Sequence, residues 1–161
     1  MQVQKITPFL WFNGEAEDAA RFYAATFKGG KVNKILRWQE DGPGGKKGDV
    51  LTVEFEIEGH TFTAMNGGSS FKLTPAVSFM VSVHDQQELD GLWDKLGSDG
   101  GAPMACGWIT DRFGLTWQVV PDTLLGYISD PDPAKAKRSM DAMMSMIKFD
   151  FAALKKAHDG A

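Results

Sequence analysis

A stretch near the start of the chain is read again, loosely, 70 positions later. Pro8–Gly30 runs PFLWFNGEAEDAARFYAATFKGG, and Ser78–Gly100 runs SFMVSVHDQQELDGLWDKLGSDG. Each copy is an apolar strand, a break, an amphipathic helix and a glycine stop. The offset of 70 sets Pro8 against Ser78, Glu15 against Asp85 and Tyr23 against Trp93. Two copies of one small unit bury apolar faces that neither could bury alone. A cleft is expected where two such sheets meet.

Periodicity fills in each unit. Residues 4–12 read as a strand that Asn13-Gly14 breaks. Ala16, Ala19, Ala20, Tyr23 and Phe27 then form one helical stripe, with Glu15, Glu17 and Asp18 at the positive end of the helix dipole. A strand over 31–39 leads into EDGPGGKKGD, residues 40–49, whose composition predicts an exposed hairpin loop. Leu51, Val53, Phe55 and Ile57 alternate with Thr52, Glu54 and Glu56, the pattern of a half-buried strand. Glu58-Gly59 turns the chain back into HTFTAMN, residues 60–66. The first module, 1–66, is therefore βαβββ, and the turn formers of 67–76 make a linker.

The second module, 77–122, is shorter. Asp85 and Glu88 have capping-box spacing at the start of its helix. Leu89, Leu92, Trp93 and Leu96 form the helix stripe. Strands are expected over 106–111 and 115–121, with a short edge strand near 102–105 that Pro103 limits. Residues 123–161 lie outside the repeat as a helical tail. Asp132 caps a helix that begins at Pro133, and a second helix starts at Asp150. The fold class is α+β: paired βαβββ modules with a C-terminal helical tail.

Composition narrows the function. The chain has 161 residues, 43% of them hydrophobic, enough for a sizeable core. A net charge of −4 without a Lys/Arg stripe argues against nucleic acid as a partner. The single cysteine, Cys106, excludes an internal disulfide and fits a reducing compartment. No apolar run reaches 18 residues, so no membrane span is expected, and MQVQKITPFLWF lacks the features of a signal peptide. A cytoplasmic protein is the expectation.

Four stretches carry a family resemblance: ITPFLWFNGEAEDAARFY at 6–23, the MNGG–F–AVSFMV stretch from Met65 to Val81, CGWITDRFGLTWQVVP at 106–121, and DPDPAKAKRSMDAMMSMIKFD at 130–150. In this order they resemble the PhnB-like branch of the vicinal oxygen chelate superfamily, which includes glyoxalase I, extradiol dioxygenases and bleomycin-resistance proteins. The branch also bears the label 3-demethylubiquinone-9 3-methyltransferase-like. The resemblance implies a homodimer, and it leaves open whether the modules are exchanged across the two-fold axis through the 67–76 linker. It also implies a divalent ion in the cleft, held by His, Gln or Glu on the first and fourth strands of each module.

The positions matching those ligands are Pro8, Phe62, Ser78 and Gln118. Proline and phenylalanine offer no ligand atom, and a hydroxyl with one amide suits a transition metal poorly. No bound metal or other cofactor is expected. The methyltransferase label needs a glycine-rich turn between a parallel strand and a helix, followed by an acidic residue. The sequence has no G-x-G-x-G.

Strand parity nominates the cleft surface. If position 8 faces inward, so do Leu10 and Phe12. Phe62, Ala64 and Asn66 share a face, as do Ser78, Met80 and Ser82, and Thr116, Gln118 and Val120. The resulting ligand-binding set is Phe12, Phe62, Asn66, Ser78 and Gln118, an apolar and aromatic surface with a few amides and hydroxyls. The alternative is that these side chains fill the sheet interior. The set has no paired carboxylates for acid/base work, and no catalytic residue is nominated. His60, His84 and His158 read as surface or turn residues. Cys106 reads as a small buried hydrophobe, and the Met140, Met143, Met144 and Met146 stripe as core or dimer packing.

Three functional readings follow. The first is a metal-independent small-molecule-binding protein, as in antibiotic-sequestering relatives. The second is an enzyme on an unidentified small substrate: a lyase, a dioxygenase or the labelled methyltransferase. The third is a non-catalytic dimer that binds a protein partner. Fold does not choose among them.

Overall fold

The structure, a computed structural model, describes residues 4–161. Residues 1–3, part of the expected first module and of the N-terminal stretch read for a signal peptide, lie outside the described residues. The chain divides between Leu73 and Thr74 into two compact units.

The first unit contains β1 (Phe9–Phe12), α1 (Ala16–Thr26), β2 (Lys31–Arg37), β3 (Val50–Ile57) and β4 (His60–Asn66). Its sheet has the order β1-β4-β3-β2, with β1 parallel to β4 and the other pairs antiparallel. The β3–β4 hairpin turns on Glu58 and Gly59, both at positive φ, the primed turn that matches strand twist. It pairs Phe55 with Phe62 and Val53 with Ala64. β1 is shorter than the expected 4–12 strand; residues 4–8 are irregular.

α1 packs on the sheet through Ala16, Ala19, Ala20 and Tyr23, all fully buried. The Tyr23 ring lies 5.8 Å from Phe55, which stacks on Phe62 at 5.4 Å. Each such side chain, when fully buried, contributes about 1.5–3 kcal/mol. Among the described residues, no helix of this unit lies over the other face of the sheet.

The second unit opens with β5 (Ser78–Val83), α2 (Gln86–Leu96), β6 (Ala102–Pro103), β7 (Trp108–Thr110) and β8 (Thr116–Pro121). The sheet order β5-β8-β7-β6 repeats the first, again with one parallel pair, β5 and β8. Asp85 caps α2 by accepting from Glu88 N, and Glu88 Oε2 reaches back to accept from His84 N, the residue before the cap, rather than from the N–H of Asp85 that a capping box would use. Leu89, Trp93 and Leu96 are the buried stripe. Asp111, only 3% exposed, turns the chain between β7 and β8. It accepts from Phe113 N, Leu115 N and Trp117 Nε1.

The tail holds one helix more than expected: α3 (Leu124–Ile128), α4 (Pro133–Ser145) and α5 (Phe151–Asp159). Asp132 and Asp150 cap α4 and α5 as their positions predict. The α+β class with paired βαβββ units and a helical tail is what the structure has.

The offset of 70 is correct for the helices and wrong for the strands. Ala19, Tyr23 and Thr26 of α1 match Leu89, Trp93 and Leu96 of α2. The link from β1 to α1 is three residues, Asn13-Gly14-Glu15, whereas β5 reaches α2 through two, His84-Asp85. The strands therefore align at 71: Leu10 with Val81 and Phe12 with Val83. A slip of one residue exchanges the two faces of a strand.

Candidate functional site

The slip moves three nominated residues. Phe12 and Phe62 are 4% and 7% exposed and lie on the face that α1 covers. Asn66 is also on that face, where its Oδ1 accepts from Ala16 N at 3.0 Å and its Nδ2 donates to Val50 O at 3.1 Å. It caps α1 from a neighbouring strand, in place of Glu15, which makes no side-chain cap. Phe12, Phe62 and Asn66 are thus core and cap, not lining of the helix-free face. Asn66 does border a concavity of about 350 Å³ at the start of α1, beside Gly14, Glu17, Asp18 and Asp49.

Ser78 and Gln118 keep their expected parity. In the second sheet, Ile109 and Trp117 form a register pair on the α2 side: the Ile109 methyl lies 3.3 Å from where a Cβ would stand on Gly97, at the end of α2. Ser78, Met80, Gln118, Trp108 and Thr110 therefore occupy the opposite, helix-free face. Gln118 Nε2 donates to Ser78 Oγ at 2.9 Å, and the Thr110 and Thr116 hydroxyls share a bond of 3.2 Å. Met80 is 61% exposed.

With the strands aligned at 71, Gln118 matches Thr63 rather than Phe62, and the same count sets Ser78 against Thr7, in the irregular segment before β1, rather than Pro8. The corrected ligand positions are Thr7, Thr63, Ser78 and Gln118: three hydroxyls and an amide. This set fits a transition metal no better than the first, since hydroxyls are not deprotonated without strong assistance and supply no soft or imidazole donor. Among the described residues, no three His, Cys, Asp or Glu side chains gather closely enough to hold a metal ion. The residues do not fit the metal that the fold family implies, and no chemistry is routed through one.

On the first sheet, the helix-free face carries Phe9, Trp11, Thr63, Met65 and Glu54. Strand parity counted from Pro8 predicts Leu10 and Phe12 on this face; the register puts Phe9 and Trp11 there. The signal that separates them was the turn: a two-residue Glu58-Gly59 hairpin puts Phe62 opposite Phe55, hence on the apolar face of β3.

Two of the three histidines, His158 and His84, have separate side-chain partners. His158 lies flat on Tyr127, with Nε2 2.8 Å from Asp130 and Nδ1 3.2 Å from Asp159. His84 Nδ1 is 2.8 Å from Asp122 Oδ2. That hydrogen bond and the charge of Asp122 raise the His84 pKa above the ordinary 6.5, with help from Asp85 and Glu88. A raised pKa gives stability that is present below the ordinary value and lost as pH rises through the folded one. The imidazole is 87% exposed, so the stability involved is slight. A proton NMR titration should place the His84 midpoint above 6.5, and Asp122→Asn should bring it down. An unchanged midpoint in the variant would remove Asp122 as the cause.

Cys106 sits at φ 59° before β7, with its N–H on Met146 O and its Sγ 3.9 Å from Met144 Sδ. Its role in this geometry is to turn the chain where the tail docks.

A sequence model of the 3-demethylubiquinone-9 3-methyltransferase family matches residues 4–120, most of the chain. The chain belongs to this family. A PhnB protein of Bacillus cereus that bears the same family name is 33% identical. The match covers 73% of this chain and 99% of that one, with a TM-score of 0.66. A Pseudomonas aeruginosa protein is 22% identical over 71% of this chain and 95% of its own, at a TM-score of 0.58. The fosfomycin resistance protein FosX of Mesorhizobium loti, 14% identical over 78% of this chain and 96% of its own, matches at 0.54. The last two likenesses show the fold alone. No curated protein sequence matches the chain. Among the described residues, no helix is long and apolar enough to cross a membrane.

Proposed function

We propose that this chain is a metal-independent small-molecule-binding protein, cytoplasmic and homodimeric, each of whose helix-free sheet faces is by itself a surface for a small ligand. The observation that carries the reading is the Gln118–Ser78 pair on a sheet face that otherwise exposes Met80. An apolar surface with a few fixed polar groups is the usual make-up of a ligand site. Ser78 accepts the Gln118 bond and keeps its own O–H to donate, while the Gln118 carbonyl can accept. The positions matching the family's metal ligands are hydroxyls and an amide, which suit recognition better than Lewis-acid catalysis.

Methyl transfer finds little support. Enzymes of the common class hold their cofactor on a glycine-rich turn of a doubly wound parallel sheet. Each sheet here has one parallel pair, and the Asn13-Gly14-Glu15 turn leads into the acidic first turn of α1. The FosX protein is named for resistance to an antibiotic, and sequestering a compound of that kind is a role this site would suit.

Two measurements test the reading. Elemental analysis of the purified protein should find no stoichiometric divalent metal. A thermal-shift screen of metabolites and antibiotics should find ligands; at 100 times its dissociation constant a ligand stabilises by about 2.7 kcal/mol. Gln118→Leu should weaken such a ligand while leaving unfolding nearly unchanged. A bound equimolar metal, or a ligand indifferent to Gln118, would defeat the proposal.

A further inference from the structure

The first unit carries an aromatic corner that its own packing does not require. Phe9 and Trp11 alternate onto the helix-free face of β1, and Phe9 is 60% exposed. Phe71 is 66% exposed, yet its ring meets Trp11 edge to face, with centroids 5.0 Å apart and planes at 80°.

This corner is pinned. Trp11 Nε1 donates to Gly68 O at 2.9 Å. A Cβ on Gly67 would stand 2.3 Å from the Trp11 ring, and one on Gly68 would stand 2.8 Å from Pro43 O. The two glycines let the backbone lie against the indole and fix where Phe71 emerges. An exposed ring held at right angles to another, by a segment with no room for side chains, is a preorganised surface.

We propose that Trp11, Phe71 and Phe9 form a stacking site for a planar aromatic small molecule. The inference rests on the small-molecule reading above and adds the class of ligand. Ring pairs favour offset or edge-to-face contact, so a third flat ring in the Trp11–Phe71 corner meets one ring by its face and the other by its edge. On the Trp11 row the face continues through Met65 and Thr52 to Leu36, 45% exposed, so the rings stand at one end of a mixed face; it is the fixed edge-to-face pair that selects a flat ring as occupant. Across the sheet from Phe9 the same face turns to Glu54 and Lys34, and Glu56 pairs with Lys31. The aromatics thus keep to the β1 edge and extend two residues along it, about 7 Å. That length matches a bicyclic ring.

The test compares flat and saturated neutral probes of equal size on the full chain: 2-naphthol and 2-naphthalenemethanol against 2-decalol and decahydro-2-naphthalenemethanol. Binding is read by NMR, following the Trp11 indole N–H. The aromatic pair should bind at millimolar or better concentration and shift that resonance, and the saturated pair should bind more weakly by roughly two- to tenfold. Phe71→Leu and Phe9→Leu should each weaken the aromatic probes by a similar factor; both side chains are exposed, so the variants remain folded. Equal binding of flat and saturated probes would overturn the stacking site, as would absence of binding. Either result leaves the small-molecule reading standing if ligands from the thermal-shift screen still depend on Gln118. Loosened self-association in Phe71→Leu, without loss of probe binding elsewhere, would overturn it in favour of a second copy as occupant.

Discussion

Phe62→Ala is expected to cost about 3–5 kcal/mol of stability, the range for truncating a buried phenylalanine. The side chain is 7% exposed, stacks on Phe55, and through it joins Tyr23 under α1. Removing the ring leaves a void that Val53, Phe55 and Ala64, all fully buried, cannot readily fill. Urea denaturation should show the midpoint fall sharply while the slope stays near that of the wild type. A residue lining a ligand cleft would give the opposite result: little loss of stability and a change in binding. Gln118→Leu is the paired control, since Gln118 lies on the helix-free face and is expected to change binding with little cost to folding. If Phe62→Ala leaves the midpoint unmoved, the placement of β4 under α1 is wrong.

This contrast marks where the sequence was legible. The alternation of Leu51, Val53, Phe55 and Ile57 fixed β3 and its polar outer face, and Asp85, Asp132 and Asp150 marked the helix starts. These signals are local: each depends on neighbours within one turn or one strand. The faces of β1 and β4 depend on a count that spans two elements. One residue more in Asn13-Gly14-Glu15 than in His84-Asp85 leaves the helix repeat intact at 70 and turns the strand over. Because a strand has a period of two, that difference exchanged Phe12 for Trp11 and Phe62 for Thr63 as surface residues. The role of Asn66 was hidden for another reason. A helix cap supplied from 50 residues away has no sequence signature. Phe71 sat in a segment that composition marks only as linker, and its meeting with Trp11 is a tertiary event. The short helix Leu124–Ile128 has too few residues to show a period.

The tail gives the second large effect, because it is joined to the second unit by a few deeply placed contacts. The family match ends at residue 120, before the tail begins. Phe149 is 1% exposed and lies against Gly107, where a Cβ would come within 2.4 Å of the ring. Gly107 has φ 77°, so this glycine serves both the backbone turn and the slot for the ring. On either side of Phe149 the chain is tied down. Cys106 N and Gly107 N donate to Met146 O and Ile147 O, both at 2.8 Å. Gln86 of α2 donates to Phe149 O and accepts from Phe151 N. Lys148 pairs with Asp90 at 2.9 Å. The polar ties are partly exposed and individually small; the buried ring carries most of the energy. Phe149→Ala should therefore cost about 3–5 kcal/mol, and amide hydrogen exchange should show protection lost first in α4 and α5. Met144→Ala, at a side chain 64% exposed on α4, should change stability by about 0.5 kcal/mol or less. A tail that keeps its protection in Phe149→Ala would mean that the backbone bonds at Cys106 and Gly107, together with Gln86, suffice to hold it. The Phe149 slot would then be a fit without a fastening role.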